Sequence, residues 1–328
     1  MKLRIATFNI ENLDDIDESP TLAERIPVLR PQLQRLHADI ICFQEVHGQE
    51  APGQPRRLLA LQTLLEGTDY ESFSMVHTKT VSTDEAYDKR NLVVVSRFDL
   101  SDTKQYRNDL VDELQYKRVT ARPKEDQAKE ISFGRPILHT QAHIKPGFVI
   151  HLINLHLKSR IPTDIPGQQH PTKDYIWKSA YGWAEGYFLS AIKRVGQALE
   201  TRILVDRIFD ENAEAKIVVC GDFNAHPDEV PVEAISGRTE NTSNPELLGR
   251  VLASCEYTIP ESARFTYLHQ GQKRLLDHML ISRSMLQYYR KAEIHNETLH
   301  DEGLAFAYDT KFPESDHAPF IAEFKIPD

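Results

Sequence analysis

The sequence predicts a protein of the α/β or α+β class, and three observations carry that reading. Short β-branched runs recur along the whole chain, longer stretches of helical spacing fall between them, and no apolar run approaches the roughly 18 residues of a membrane span. Strand-like runs, alternating or continuous, occupy Leu3 to Ile10, Asp39 to Gln44, Leu92 to Ser96, Ile137 to Ile144, Val149 to Leu155, Lys216 to Cys220, Leu276 to Ile281 and Pro319 to Ile326. Helical patterns run from Thr21 to Leu36, from Arg57 to Leu65, and from about Ala184 to Glu211. In the last, Phe188, Ile192, Val195, Leu199, Ile203, Val205 and Ile208 recur at helical spacing.

Two segments read as long loops. Ser101 to Lys129 is densely charged, whereas Arg160 to Trp183 carries four Pro and Gly residues together with Tyr175, Trp177, Tyr181 and Trp183. Loops this long are usually functional or disordered, and the aromatic one is the stronger functional candidate. The alternative for its rings is packing down onto the body. With no internal repeat and no Gly/Ser-rich linker, residues 1–328 are expected to form one domain.

Composition excludes several classes. A hydrophobic fraction of 40% and a charged fraction of 27% supply an ordinary core and rule out disorder throughout. MKLRIATFNIENL reads at once as a strand rather than a signal peptide, so a cytoplasmic protein is expected. The cysteines Cys42, Cys220 and Cys255 are odd in number and two lie in apolar runs, which points to reduced core thiols rather than disulfides or zinc. A net charge of −10 opposes long-range attraction to nucleic acid, so any polyanion must be captured locally. One local excess of base exists: nine Lys and Arg against six Asp and Glu between Ala86 and Lys124.

Polar and acidic residues appear repeatedly where apolar runs end: Asn9 and Glu11, Glu45, Asn154 and His156, Asp222 and Asn224. In α/β sheets the crevice beyond the strand ends is where ligands bind. Singly, each has an ordinary alternative, Asp222 as a turn residue and His156 as a hydrogen-bonded strand histidine. In order, TFNIEN, FQEV, NLHLKS, GDFN, LLDHMLIS and SDHAPF resemble the successive motifs of the endonuclease/exonuclease/phosphatase superfamily, which includes deoxyribonuclease I. The resemblance runs from Thr7 to about Phe324, and GDFN and SDH are its most specific parts.

That resemblance implies a four-layer α/β sandwich, two packed mixed sheets flanked by helices, with the site at one end. It implies Mg²⁺, with Mn²⁺ as a substitute, held by Glu45 and Asp316 with Asn9 and Glu11 nearby, since a hard cation takes oxygen ligands. Asp222 would orient and deprotonate the attacking water. Asn224 would donate to the phosphoryl oxygens. His317 would stabilise the phosphorane or move a proton, with Asp277 fixing its tautomer. His156 would contact the phosphate or protonate the leaving oxygen. Asn154, Lys158, Arg160 and Arg194 stand as substrate-binding candidates, the basic ones because cations beside a phosphoryl site capture and stabilise charge. For Arg194 the alternative is a solvated helix face. His226, His269, His278 and His295 lack such context and read as structural or exposed.

The motifs depart from two branches. The apurinic-site repair branch places Lys soon after its Gln-Glu-Thr, where Val46, His47 and Gly48 stand here. The inositol-polyphosphate phosphatase branch follows its Asn with an aromatic and Arg, where Ala225, His226 and Pro227 stand here. The motifs are most similar to those of bacterial members of unspecified substrate. The expected activity is a nuclease acting on DNA or RNA, with a phosphodiesterase or phosphatase of a small-molecule or lipid phosphoester, or an inactive binding scaffold, as alternatives.

Overall fold

The computed structural model describes residues 1–50, 53–173, 176–303 and 311–327, with the side chain of Asn241 excepted; Tyr175 lies outside them. In chain order the strands are β1 (Lys2–Leu13), β2 (Ile40–Val46), β3 (Ser74–His77), β4 (Asn91–Ser96), β5 (Leu100–Tyr106), β6 (Leu114–Tyr116), β7 (Lys129–Ile131), β8 (Ile137–Lys145) and β9 (Phe148–His156). After these come β10 (Ile217–Asp222), β11 (Leu252–Ser254), β12 (Tyr267–His269), β13 (Gln272–Arg274), β14 (Asp277–Ser282), β15 (Tyr289–Ile294) and β16 (Phe320–Lys325). The main helices are α1 (Leu22–Leu36), α2 (Leu59–Leu65), α3 (Ala180–Glu211) and α4 (Val230–Ser236).

Two six-stranded sheets result, ordered β15-β16-β1-β2-β4-β3 and β11-β14-β10-β9-β8-β5. Each holds one parallel pair, β1 with β2 and β9 with β10, and its other pairs are antiparallel. A parallel pair needs a crossover, and α1 and α3 supply the two. Strand period two then sorts the side chains. Leu3, Ile5, Ile40 and Cys42 meet Leu152, Val218, Cys220 and Met279 between the sheets. Ala6, Phe8, Ile41 and Phe43 pack instead beneath α1 and α2, and Ile153, Leu155, Ile217 and Val219 beneath α3 and α4. Helix, sheet, sheet and helix make four layers.

Local chemistry explains the elements that frame the site. Thr21 caps α1 in a reciprocal capping box with Glu24, and Leu22, Arg25, Leu29, Leu33 and Leu36 bury one face. From that face Arg25 donates to the carbonyls of Ile10 and Glu11, both at 2.8 Å, and pins the end of β1. Helix α3 starts earlier than its periodicity indicates, so Tyr181 and Trp183 stand on the helix rather than in a loop. Its buried face carries Leu189, Ala198, Leu204, Val205, Ile208 and Phe209, while Phe188, Val195 and Leu199 are exposed. The segment read as a charged loop contains β5 and β6. Two buried carboxylates hold its connections: Glu200 accepts from the N–H groups of Asn108, Asp109 and Leu110, and Glu185 from those of Val119 and Thr120. No helix among the described residues is long and apolar enough to cross a membrane. All three cysteines are free and buried.

Candidate active site

On the faces between the sheets, the apolar series gives way to polar residues toward one end. Thr7, Gln44 and Asn154 form a first, fully buried layer. Gln44 donates through Nε2 to Asn154 Oδ1 at 2.7 Å and to Thr7 Oγ1 at 3.1 Å, while Asn154 Nδ2 donates to the carbonyls of Phe43 and Val93 in the opposite sheet. The amide of Asn154 is thus spent on joining the sheets, below the cleft and away from any substrate.

Two residues further along each strand comes the floor. His156, Asp222 and Asp277 are direct neighbours in register across β9, β10 and β14. Gly221 makes that line-up possible: with φ 137° it adopts a backbone that side chains rarely tolerate, and a Cβ there would sit 2.0 Å from the carbonyl oxygen of Leu155. From the other sheet, β1 and β2 break register between Asn9 and Leu13 and between Phe43 and Val46. These bulges put Glu11 (φ 48°) and Glu45 (φ 61°) in the left-handed region and re-aim both carboxylates into the site.

The contacts converge on one atom. Asp222 Oδ2 accepts from Asn9 Nδ2 at 3.1 Å and Asn224 Nδ2 at 3.0 Å, and lies 3.2 Å from His156 Nε2 and 4.0 Å from His317 Nε2. His317 Nδ1 is 2.7 Å from Asp277 Oδ2, although the two are 40 positions apart in sequence. Asp316 reaches the site from the same turn, its N–H donating to Glu11 Oε2 at 3.0 Å, and the N–H of Asn12 donates to Glu45 Oε2 at 3.2 Å. Asn224 spends both amide protons, on Asp222 and on the Leu157 carbonyl at 3.1 Å, so it positions Asp222 rather than offering a free donor to phosphate.

Above this floor opens a cleft of about 420 Å³, lined by Glu45, His156, Asp222, Asn224, Asp316 and His317 together with Lys158 and Arg160. Arg160 is paired with Glu229. Arg194 is not brought to the cleft, nor is it solvated: it is buried and donates to the carbonyls of Lys158 and Ser159, shaping the turn that follows His156. Residues that sequence reasoning missed also line the cleft, namely Arg90, Arg135, Tyr267, His269 and Arg274. His269 therefore stands at the site rather than apart from it. His278 is structural, buried between Glu256 and the Ala225 carbonyl, both at 2.8 Å.

Charges in the floor oppose one another. Burial pushes the Asp222 carboxyl up, but His317, His156 and the Asn224 N–H override it and hold the group below the usual carboxylate range. Burial disfavours a charged His317, yet Asp277, Asp316 and Asp222 overcome it and raise its pKa well above the ordinary value. Burial followed by Arg135 lowers that of His156. Burial raises Glu11 to about 7, and burial with the charge of Glu11 carries Asp316 well above its usual value. Crowded, desolvated carboxylates of this kind are what a cation relieves. Their all-oxygen donor set fits a hard divalent ion. A second group, Asp222, Asp277 and His317, offers ligand atoms all within 4.8 Å of one another and could also hold a metal ion.

Comparison with known proteins agrees with this architecture. A model of the Endonuclease/Exonuclease/phosphatase family matches residues 6–317. No curated protein sequence matches. Among solved structures, the 3′ phosphatase NExo from Neisseria, bound to a product DNA hairpin, is 17% identical with a TM-score of 0.55 over 99% of this chain and 100% of that one. A mannosyl-6-phosphatase from Bacteroides thetaiotaomicron is 17% identical with a TM-score of 0.57 over 99% and 100%. An AP endonuclease from Archaeoglobus fulgidus is 14% identical with a TM-score of 0.53 over 99% and 100%. Likeness at this identity is likeness of fold.

Proposed function

The chain belongs to the endonuclease/exonuclease/phosphatase family, and from that membership we propose that it is a Mg²⁺-dependent phosphodiester hydrolase, a nuclease acting on DNA or RNA. The observation that carries the reading is the convergence of Asn9, Asn224, His156 and His317 on Asp222 Oδ2, beside the Glu11, Glu45 and Asp316 carboxylates. Glu45 and Asp316, supported by Asn9 and Glu11, would hold the ion, which when bound polarises a phosphoryl oxygen and neutralises its charge. The oxygen set is preferred over Asp222, Asp277 and His317 because the last two already spend a ligand atom each on their mutual hydrogen bond.

The chain's own residues then divide the work. Asp222, kept ionised by its four neighbours, orients the attacking water in line and takes its proton as the bond to phosphorus forms. His317, held cationic by the surrounding carboxylates, donates from Nε2 to the phosphoryl oxygens as negative charge builds there, and as the ester bond from phosphorus to the leaving oxygen breaks, that oxygen takes the Nε2 proton. Asp277 holds that imidazole by its Nδ1 proton. His156 lies at the phosphate's edge of the floor and fixes the two carboxylates beside it, its Nε2 lying 3.2 Å from Asp222 and 3.5 Å from Glu45.

A second reading, a small-molecule or lipid phosphoester, is favoured by the net charge of −10. It also draws on the mannosyl-6-phosphatase, whose substrate class differs from the DNA bound by the Neisseria enzyme. The test is a panel of DNA, RNA, bis(p-nitrophenyl) phosphate and phosphomonoesters, each assayed with Mg²⁺, Mn²⁺ and EDTA. The nuclease reading expects Mg²⁺-dependent turnover of a polynucleotide above that of every phosphomonoester. Turnover confined to monoesters would reject it.

A further inference from the structure

The basic residues at the cleft are distributed unevenly. Arg160 is neutralised by Glu229. Arg90, Arg135 and Lys158, by contrast, gather on the side of Glu45 and His156 and form no ion pair with any described carboxylate, in a chain where acids outnumber Lys and Arg by 49 to 39. Two of them are fixed by the backbone rather than by charge. Arg135 Nη1 donates to the Leu157 carbonyl at 3.1 Å, and Lys158 Nζ spends its three protons on the Ile161 carbonyl at 2.8 Å, Ser159 Oγ at 3.1 Å and the Ser159 carbonyl at 3.3 Å, so that it contributes charge while the guanidinium groups supply the free donors. Arg90 stands exposed at the mouth with φ 61°. Unpaired cations that crowd one another cost free energy, and the crowding is felt: burial, then Arg135, Lys193, Arg194 and Arg90, bring Lys158 down to about 8.

We infer that Arg90, Arg135 and Lys158 form a second anion subsite on the Glu45–His156 side of the cleft, which takes a phosphoryl group next to the one that is cut. The inference rests on the phosphodiesterase reading above and narrows its substrate to diesters carrying a further phosphate, as a polynucleotide strand or a phosphorylated strand end does. Guanidinium forks suit such a group because they meet phosphate oxygens two at a time. The scissile phosphate has its own partners in His156, His317 and the carboxylate-held cation. These three cations, two of them anchored on backbone carbonyls, are therefore surplus to the bond being broken.

The test compares the dinucleotide TpT with pTpT and TpTp, which add one terminal phosphate on the 5′ or the 3′ side, under identical Mg²⁺ and ionic strength. For the wild type, one of the two phosphorylated substrates is expected to show kcat/KM about tenfold or more above TpT, the scale of one charge-assisted contact. Arg90→Gln should bring that ratio close to one, and raising salt should do so gradually. Comparable kcat/KM for all three substrates in the wild type, or a ratio untouched by Arg90→Gln with all three falling together, would overturn the subsite and assign these cations to the scissile phosphate. Absence of turnover on every diester would instead overturn the phosphodiesterase reading itself.

Discussion

Asp277 and His317 are the pair on which mechanism can be separated from packing. Asp277 is 1% exposed, and burial raises its carboxyl while the charge and hydrogen bond of His317 oppose that rise, so His317 is its principal charge partner. Asp277→Asn should lower kcat by roughly 10²- to 10⁴-fold with a smaller change in KM, as loss of an imidazole-orienting carboxylate does elsewhere. Added to His317→Ala it should cost little more than His317→Ala alone, because the two act as a unit. Fully additive losses in a steady-state double-mutant cycle would return Asp277 to a turn role. Residues of this kind were legible because each motif pairs a chemically distinctive side chain with a strand end. Arg90, Arg135 and Arg274 were not, since a lone Arg in DKRN, SFGRPI or QKRL carries no signal until the fold gathers it. Asn154 and Arg194 read as binders because polarity marks them, yet a polar side chain can equally be spent inside, as both are on backbone carbonyls.

At the level of elements, strands covered on both faces were readable as apolar runs, and the polar edges were not. LSDTKQY of β5 and YRKAEI of β15 are outermost strands of the two sheets, half-buried to exposed with only Ile294 buried, so their hydropathy matches that of a loop. The aromatic segment divides in two. Trp177 packs with Ile165, Leu189 and Ala121, whereas Trp183 is 45% exposed and stacks on Tyr187 at 5.3 Å. Trp177→Ala should destabilise by roughly 2 to 4 kcal/mol and depress base-bearing and base-free substrates alike. Trp183→Ala should leave the melting temperature nearly unchanged and, if bases stack there, raise KM only for single strands. A thermal melt with paired KM values separates the two.

A pH effect belongs to β8 and β9. His139 and His151 stack with 2° between their planes, and burial, then the neighbouring His151 and Lys104, bring His139 down to about 4 from 6.5. Between those values an unfolded chain binds a proton that the folded one refuses, so stability falls as pH drops from about 6.5 toward 4 and is unaffected by this group above that range. His139→Asn should flatten the melting temperature over that interval; an unchanged slope would place the acid sensitivity elsewhere.

For the whole molecule, two sheets are pressed into one sandwich whose polar end sets carboxylates against one another and cations around them, within a body of net charge −10. The sandwich itself came from the motif resemblance, because strand periodicity alone does not say which sheet a strand joins. At the polar end Glu45 and Asp316, supported by Asn9 and Glu11, are proposed to hold the ion that hydrolysis requires. The most direct measurement is the initial rate of DNA hydrolysis as a function of Mg²⁺ concentration for the wild type and Glu45→Gln, with melting curves to verify that both are folded. The wild type should saturate and fall silent in EDTA, and Glu45→Gln should need at least about tenfold more Mg²⁺ and reach a far lower maximum, since one charged ligand is lost without loss of volume. Superimposable Mg²⁺ curves for the two proteins, or full activity of the wild type in EDTA, would contradict the account.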